Sequence, residues 1–452
     1  MFDIQTLALL APAVQRMAQG QAGLPALDTA AQPEVGQAQI AAVLLRAAER
    51  MQENFPYAHP LYAGQMMKPP HPVARLAYAL ASFVNPNNHA LDGGRASSAM
   101  EREAVAEIAA MFGWDAHLGH LTSGGTMANL EALWVAGLSQ PGRRILASEQ
   151  AHYTHARITE VLKIPFASVA HDARARMDLG ALQVALDAGE VGTVVATLGT
   201  TAAGAVDPLP QILRLRERYG FRVHVDSAYG GYYRLARNLG PEASAAYEAI
   251  GAADSIVVDP HKHGLQPYGC GCVLFKDPTV GRFYRHDSPY TYFSSKELHL
   301  GEISLECSRA GAAAVALWAT QQCLPLQRGG AFAQGLEACR EAALELQRRI
   351  EADARFLSGP QPELDIVVWA PRGASASEVS ARTQAVFEAA AREDLHLAVA
   401  SFPRALFPHW PLQWDAERVT CLRSCLMKPE HRDWVGEIWG RLGRATDAVL
   451  AA

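Results

Sequence analysis

No apolar run in this chain is long enough to cross a bilayer. The longest, Ala310 to Thr320, is short and alanine-rich, which argues against a helical membrane anchor. Cysteine is sparse: seven residues in 452, an odd number with no CxxC spacing. That count excludes a disulfide framework and fits reduced thiols in a cytoplasmic protein. Cys270 and Cys272 lie two apart, so a strand would put them on one face without placing them to bridge. The histidines form no HExxH or similar pattern, and no metal is predicted. Charge of either sign is not in excess, with 40 basic against 46 acidic residues and a net charge of −6. This gives no reason to expect nucleic acid or an anionic membrane as partner. The opening Met1-Phe-Asp-Ile-Gln5 lacks the basic start and apolar core of a signal peptide. Internal repeats and low-complexity linkers are also missing.

What is there suffices for a large α/β domain with smaller parts. Residues 1–72 read as a helical segment, with helices over Leu7–Gln19 and Ile40–Asn54, closed by Pro69-Pro-His-Pro72. From 73 to 325, strands and helices alternate. Strands are predicted at Ile145–Ser148, Ala167–Ala170, Val194–Leu198, Arg222–Val225, Ile256–Val258 and Cys272–Phe275, and helices at Ala181–Ala188 and Leu209–Tyr219. Such alternation implies a mostly parallel sheet covered by helices. A break is expected near Pro325 and Gly329-Gly330. Residues 326–452 then read as a small α+β domain: helix 331–352, strand Leu364–Ala370, helix Ser375–Arg392 and strand Val419–Leu426.

Three segments carry chemistry. Ser255-Ile-Val-Val258 is a buried strand of β-branched residues, and Asp259-Pro-His-Lys262 follows it directly. Lys262 therefore sits at the carboxyl end of a strand, where open α/β sheets bind ligands. Loss of solvation there favours its neutral amine, which attacks carbonyls. One strand upstream, His224-Val-Asp-Ser-Ala228 puts Asp226 at another strand end. A lysine and a carboxylate so placed suit pyridoxal phosphate, whose aldehyde needs an amine and whose ring nitrogen needs an acid. Taken alone, Lys262 would more often be a surface lysine just past a strand end, and Asp226 a turn-capping residue. Third, Thr122-Ser-Gly-Gly-Thr126 precedes a helical run. Glycines at a helix start let backbone N–H groups close on an anion.

The motifs Asp259-Pro-His-Lys262, His224-Val-Asp-Ser-Ala228 and Ser123-Gly-Gly-Thr-x-Ala-Asn129 make the chain resemble the group II pyridoxal-phosphate-dependent amino-acid decarboxylases. Within that group it looks nearest to bacterial tyrosine decarboxylases, through Asn85-Pro-Asn-Asn88, Gly204-Ala-Val-Asp-Pro208 and Ser308–Trp318. Lys262–Gly271 is equally similar to bacterial glutamate decarboxylases. The resemblance implies the aspartate-aminotransferase type fold and a homodimer whose active site lies at the interface. It implies an L-amino-acid decarboxylase leaning to aromatic substrates such as tyrosine. Decarboxylation of an acidic amino acid, or a lyase or aldehyde synthase on the same fold, stays open. Carried over residue by residue, Lys262 would hold the cofactor aldehyde and Asp226 its ring nitrogen. His152 and Ala228 would flank the ring, and Thr201 would stand near its hydroxyl. Gly124, Gly125, Thr126 and His261 would hold the phosphate, and Arg423 would receive the substrate carboxylate. Where several relatives carry Ser or Asn, this chain has Asp259, an acid that repels phosphate unless turned away or protonated. His59 and Gln65 would contact substrate, although Gln65, Met66 and Met67 read equally as packing. A loop tyrosine would return the proton to the substrate: Tyr292, with Tyr290 as the alternative.

Overall fold

The computed structural model describes residues 4–25, 35–285 and 298–451. The helices are α1 (Leu10–Ala18), α2 (Gln37–Met51), α3 (Pro72–Ser82), α4 (Leu91–Met111), α5 (Gly125–Ser139), α6 (Thr154–Leu162), α7 (Leu179–Asp187), α8 (Leu209–Tyr219), α9 (Pro241–Ala249), α10 (Gly311–Cys323), α11 (Ala331–Glu351), α12 (Ala376–Arg392) and α13 (His431–Leu450). The first sheet holds β1 (Leu118–Thr122), β2 (Arg144–Ser148), β3 (Phe166–Val169), β4 (Val191–Thr197), β5 (Arg222–Asp226), β6 (Ser255–Val258) and β7 (Gly271–Phe275). The second holds β8 (Phe356–Ser358), β9 (Ile366–Pro371), β10 (Ala398–Pro403) and β11 (Arg418–Cys425).

The first sheet runs β1-β7-β6-β5-β4-β2-β3. The pairs β6–β5, β5–β4, β4–β2 and β2–β3 are parallel, while β7 is antiparallel to both β6 and β1. This is the mostly parallel, helix-covered sheet expected from the alternation. Every residue of β4 and β6 is buried, as helices on both faces require. Register aligns Asp226 with Val257 and Thr197 with Asp226, so the carboxyl ends of β4, β5 and β6 open at one edge.

The second sheet, β10-β11-β9-β8, is antiparallel throughout. Trp369 and Leu422 on it pack with Leu346 of α11, Val386 of α12 and Ile438 of α13 in one apolar cluster. A larger cluster joins the two sheets, reaching from Val194 and Val223 to Val368, Phe402 and Val419. Burial of that continuous apolar surface seats β11 beside the first sheet.

Three strands went unread in the sequence: β1, the three-residue β8, and β10. β1, Leu-Gly-His-Leu-Thr, carries no β-branched run, and β10, Ala-Val-Ala-Ser-Phe-Pro, carries only Val399 and Phe402 among small residues and a closing proline. Gly119 on β1 shows why the strand exists: a Cβ there would come within 2.9 Å of the Val273 carbonyl and 2.5 Å of the Leu274 side chain. Pairing with β7, not local preference, makes this strand. At the other extreme, α1 and α2 bury none of their residues. All seven cysteines are unpaired thiols. Among the described residues no helix is long and apolar enough to cross a membrane.

Candidate active site

The strand ends and the start of α5 enclose a cavity of about 320 Å³. It is lined by Gly124, Gly125, Thr126, His152, Thr201, Asp226, Ala228, His261 and Lys262, all named from the sequence, together with Asp259 and Tyr229. The topology explains the gathering. Asp226 ends β5, Lys262 lies in the turn after β6, and α5 begins right after β1 across the neighbouring β7.

Braces fix this floor. Glu101 of α4 accepts the Leu121 backbone N–H of β1 at 3.0 Å and the Arg309 guanidinium at 2.6 Å, and Asn88 donates to it at 2.6 Å. The Asn85–Asn88 and Ser308–Arg309 segments thus hold the strand that delivers the glycine turn. Asp207 accepts backbone N–H groups from Thr197 and Met177, each at 2.7 Å, and pins the end of β4. Burial pushes its carboxyl up to about 7.

Asp226 is buried, and its Oδ2 lies 2.8 Å from His155 Nε2, while its Oδ1 accepts the Ala228 N–H at 3.1 Å. Burial alone would raise this carboxyl. The His155 hydrogen bond and charge, with the Ala228 N–H, outweigh it and hold the group well below the usual carboxylate range. A carboxylate kept charged at a cavity wall is suited to hold a cation there. His155 was not read from the sequence. Its signal was its place one helical turn after His152.

His152, half-buried at the start of α6, bonds Thr154 Oγ1 through Nδ1 at 2.7 Å. Burial pushes both His152 and His261 below the ordinary imidazole value. Neutral rings suit stacking against an aromatic ligand. Lys262 Nζ lies 3.1 Å from Asp259 Oδ2. Gly124 has φ +157°, in the range that favours glycine, and a Cβ on Gly125 would come within 2.6 Å of Asp259. Both positions need glycine, and Gly124, Gly125, Thr126 and Met127 at the start of α5 line the cavity.

The remaining named residues lie elsewhere. Arg423 on β11 is buried outside the cavity lining. It donates to the carbonyls of Thr201 at 2.7 Å, Ala202 at 3.1 Å and Gly64 at 3.3 Å. Three of its five N–H groups are thereby used. Gln65 is exposed beside Gly64. The His59 ring packs edge-on against Trp434 at 4.8 Å and does not line the cavity. Tyr290 and Tyr292 lie outside the described residues. Tyr268, unread in the sequence, covers His261 with ring centroids 4.7 Å apart, and its hydroxyl donates to the Met66 carbonyl at 3.1 Å.

Comparison with known proteins decides the family. The pyridoxal-dependent decarboxylase conserved domain matches residues 57–370. The chain belongs to the pyridoxal-dependent decarboxylase family. An L-tyrosine decarboxylase of Enterococcus faecium is 28% identical over 389 residues, 64% of this chain and 64% of that protein. The chain thus spans less than two thirds of that relative's length. A probable L-tyrosine/L-aspartate decarboxylase of Methanothermobacter thermautotrophicus is 27% identical over 319 residues, 68% of this chain and 82% of that one. In fold the chain is similar to mouse CSAD, with TM-score 0.78 and 18% identity over 97% of this chain and 99% of that one.

The cofactor of this family is pyridoxal phosphate, and the cavity fits it. It offers an amine at Lys262, a charged acid at Asp226 and a side-chain-free cradle at Gly124–Gly125. The buried His261 Nδ1 also lacks a hydrogen-bond partner among the described residues.

Proposed function

We propose that this chain decarboxylates an L-amino acid to the amine and CO₂, with a leaning to aromatic substrates such as tyrosine. The carrying observation is that Lys262 and Asp226, on adjoining strand ends, face one cavity closed by the glycine start of α5. The aromatic leaning rests on the likeness to tyrosine decarboxylases.

Bound pyridoxal phosphate supplies an electron sink for the pair left behind when the carboxylate departs. The chain's residues do the rest. Lys262 would hold the aldehyde through its amine. Asp226, fixed by His155, keeps the ring nitrogen protonated. His152 and Ala228 hold the ring between them, and Thr201 stands near its hydroxyl. Gly124, Gly125, Thr126 and His261 hold the phosphate. Arg423, with two N–H groups that have no partner among the described residues, would receive the substrate carboxylate, and Gln65 and His59 stand on the segment whose Gly64 carbonyl it meets. Tyr292, or else Tyr290, returns a proton to the substrate carbon, since a phenol is protonated below about pH 10.

The same reading makes the chain a homodimer. Ile40, Val43 and Leu44 form an exposed apolar stripe on α2, with Leu45 66% exposed beside them. We assign residues 1–72 to dimerisation, 73–325 to the cofactor-binding domain and 326–452 to the small domain. The test is a panel of amino acids scored for amine, aldehyde and CO₂, with borohydride reduction to mark the cofactor lysine. Label on a peptide containing Lys262 and amine from tyrosine are expected. Label on Lys163 or Lys276, or an amine from aspartate or glutamate alone, refutes the cofactor or the substrate assignment respectively.

A further inference from the structure

We propose that Asp365 is a positioning residue for the cofactor cavity: from the edge of the second sheet, its one carboxylate ties down both the turn that carries Asp226 and the turn that carries Lys262. This rests on reading the cavity as a pyridoxal-phosphate site.

Asp365 leads into β9 and is fully buried. Its Oδ1 accepts the Tyr229 hydroxyl at 2.6 Å, and its Oδ2 lies 3.2 Å from His263 Nε2. Tyr229 follows Asp226 by three residues, in the turn after β5, and lines the cavity. His263 comes directly after Lys262, in the turn after β6. The Tyr229 and Tyr233 rings pack edge-on against the His263 imidazole, with centroids 4.7 and 5.2 Å away. Burial pushes the Tyr229 phenol up, so it keeps the proton that it donates.

Two residues earlier, Glu363 serves the third turn. Its Oε2 accepts the Val206 N–H at 2.7 Å, and Val206 bridges Leu198, just past the end of β4. Thr201 lies in the loop between them. One short segment therefore meets the turns after β4, β5 and β6. It is fixed in its own sheet beside β11, where the Leu426 N–H donates to the Asp365 carbonyl at 2.8 Å.

An apolar side chain at 365 would seat the two sheets at least as well, since a carboxylate is costly to bury. What the carboxylate adds is direction. Tyr229 and His263 stand in turns, where no strand ladder fixes the backbone, so the groups they meet set their place. Asp365 does not itself line the cavity. It acts through Tyr229, whose ring is part of the wall, and through His263, whose neighbour must present its amine to the cofactor. A shift of about 1 Å in such a site costs far more than one lost contact.

The test is titration of apoenzyme with pyridoxal phosphate for wild type, Tyr229→Phe, Asp365→Leu and the double variant. Two quantities are read: cofactor affinity, and the visible circular dichroism per bound cofactor, which reports how the cofactor is oriented. Denaturant unfolding of each apoenzyme measures the structural loss separately. Tyr229→Phe keeps the cavity wall and loses only the hydroxyl that meets Asp365. Each single variant should bind cofactor about tenfold more weakly and show altered dichroism. The double variant should bind about as weakly as Asp365→Leu alone, because both changes cut one tie. Its unfolding midpoint should nevertheless recover toward wild type, since Phe and Leu leave neither a hydroxyl nor a carboxylate unpartnered. Single variants with a lowered midpoint but wild-type affinity and dichroism overturn the proposal, as does an affinity that recovers together with the midpoint. Additive losses in the double variant also overturn it, for the hydroxyl would then act on the cofactor without Asp365. Should Asp365→Leu fail to fold, Tyr229→Phe decides: weaker binding with altered dichroism supports the tie, and wild-type values refute it. A wild-type protein that binds no cofactor overturns the reading of the site itself.

Discussion

Replacing Asp226 by Asn separates holding the cofactor from using it. The carboxylate is buried, 2.8 Å from His155 Nε2 and 3.1 Å from the Ala228 N–H. Asn keeps the shape. Its carbonyl still accepts the Ala228 N–H, and its NH₂ faces an imidazole that accepts once its proton moves to Nδ1. The folded state therefore exchanges a charge-assisted hydrogen bond for a neutral one, a loss of about 1–2 kcal/mol. Cofactor retention, carried by Lys262 and the α5 start, should change little. Catalysis should change far more. A carboxylate about 4 Å from a cation, at an effective dielectric constant near 20, is worth about 4 kcal/mol. The amide carries no such charge. Turnover should thus fall about 10³-fold. The assay is CO₂ release at saturating substrate, with bound cofactor measured by absorbance after dialysis. Turnover within about tenfold of wild type, at full cofactor occupancy, would refute the role given to Asp226. His155→Gln, which keeps a donor but not the imidazole charge, should fall between the two.

Tyr292→Phe should leave CO₂ release in place while amine yield drops and oxygen-dependent aldehyde rises. A wild-type amine yield moves the role to Tyr290, or to Tyr268 against His261. Lys428, buried, has its amine lowered to about 7 by burial and by Lys68, whereas an unfolded lysine titrates near ~10.4. Between those values the unfolded chain binds more protons, so stability rises with pH, by up to about 1.4 kcal/mol per unit. Denaturant unfolding of wild type and Lys428→Met at several pH values should show that slope in wild type alone. Light scattering should find a dimer, and charges placed on the α2 stripe, as in Leu44→Glu, should shift it toward monomer. A monodisperse active wild-type monomer refutes the dimer.

The residues that line the cavity were legible because their signals are local. Lys262, Asp226 and Gly124–Gly125 each sit at the junction of a regular element and a turn, and such junctions show in a sequence as an apolar run ended by Gly or Pro. The alternation of strands and helices then fixed the class of fold and the edge on which those junctions meet. Most central strands and long helices were readable for the same reason. What depends on contacts across the chain was not. β1 and β10 have only a weak strand signal in their composition and exist through their pairing with β7 and β11. His155 acquires its role only because α6 packs its start against the end of β5. His59, read from the sequence as a substrate contact beside Pro60, packs edge-on against Trp434 of α13, a contact that no local pattern announces. Arg423 lies more than two hundred residues from Thr201, and only the seating of the second sheet joins them. The sequence determined which chemical groups stand at strand ends. The tertiary structure decided which of them share one cavity, because burial and pairing over long separations are properties of the packed whole.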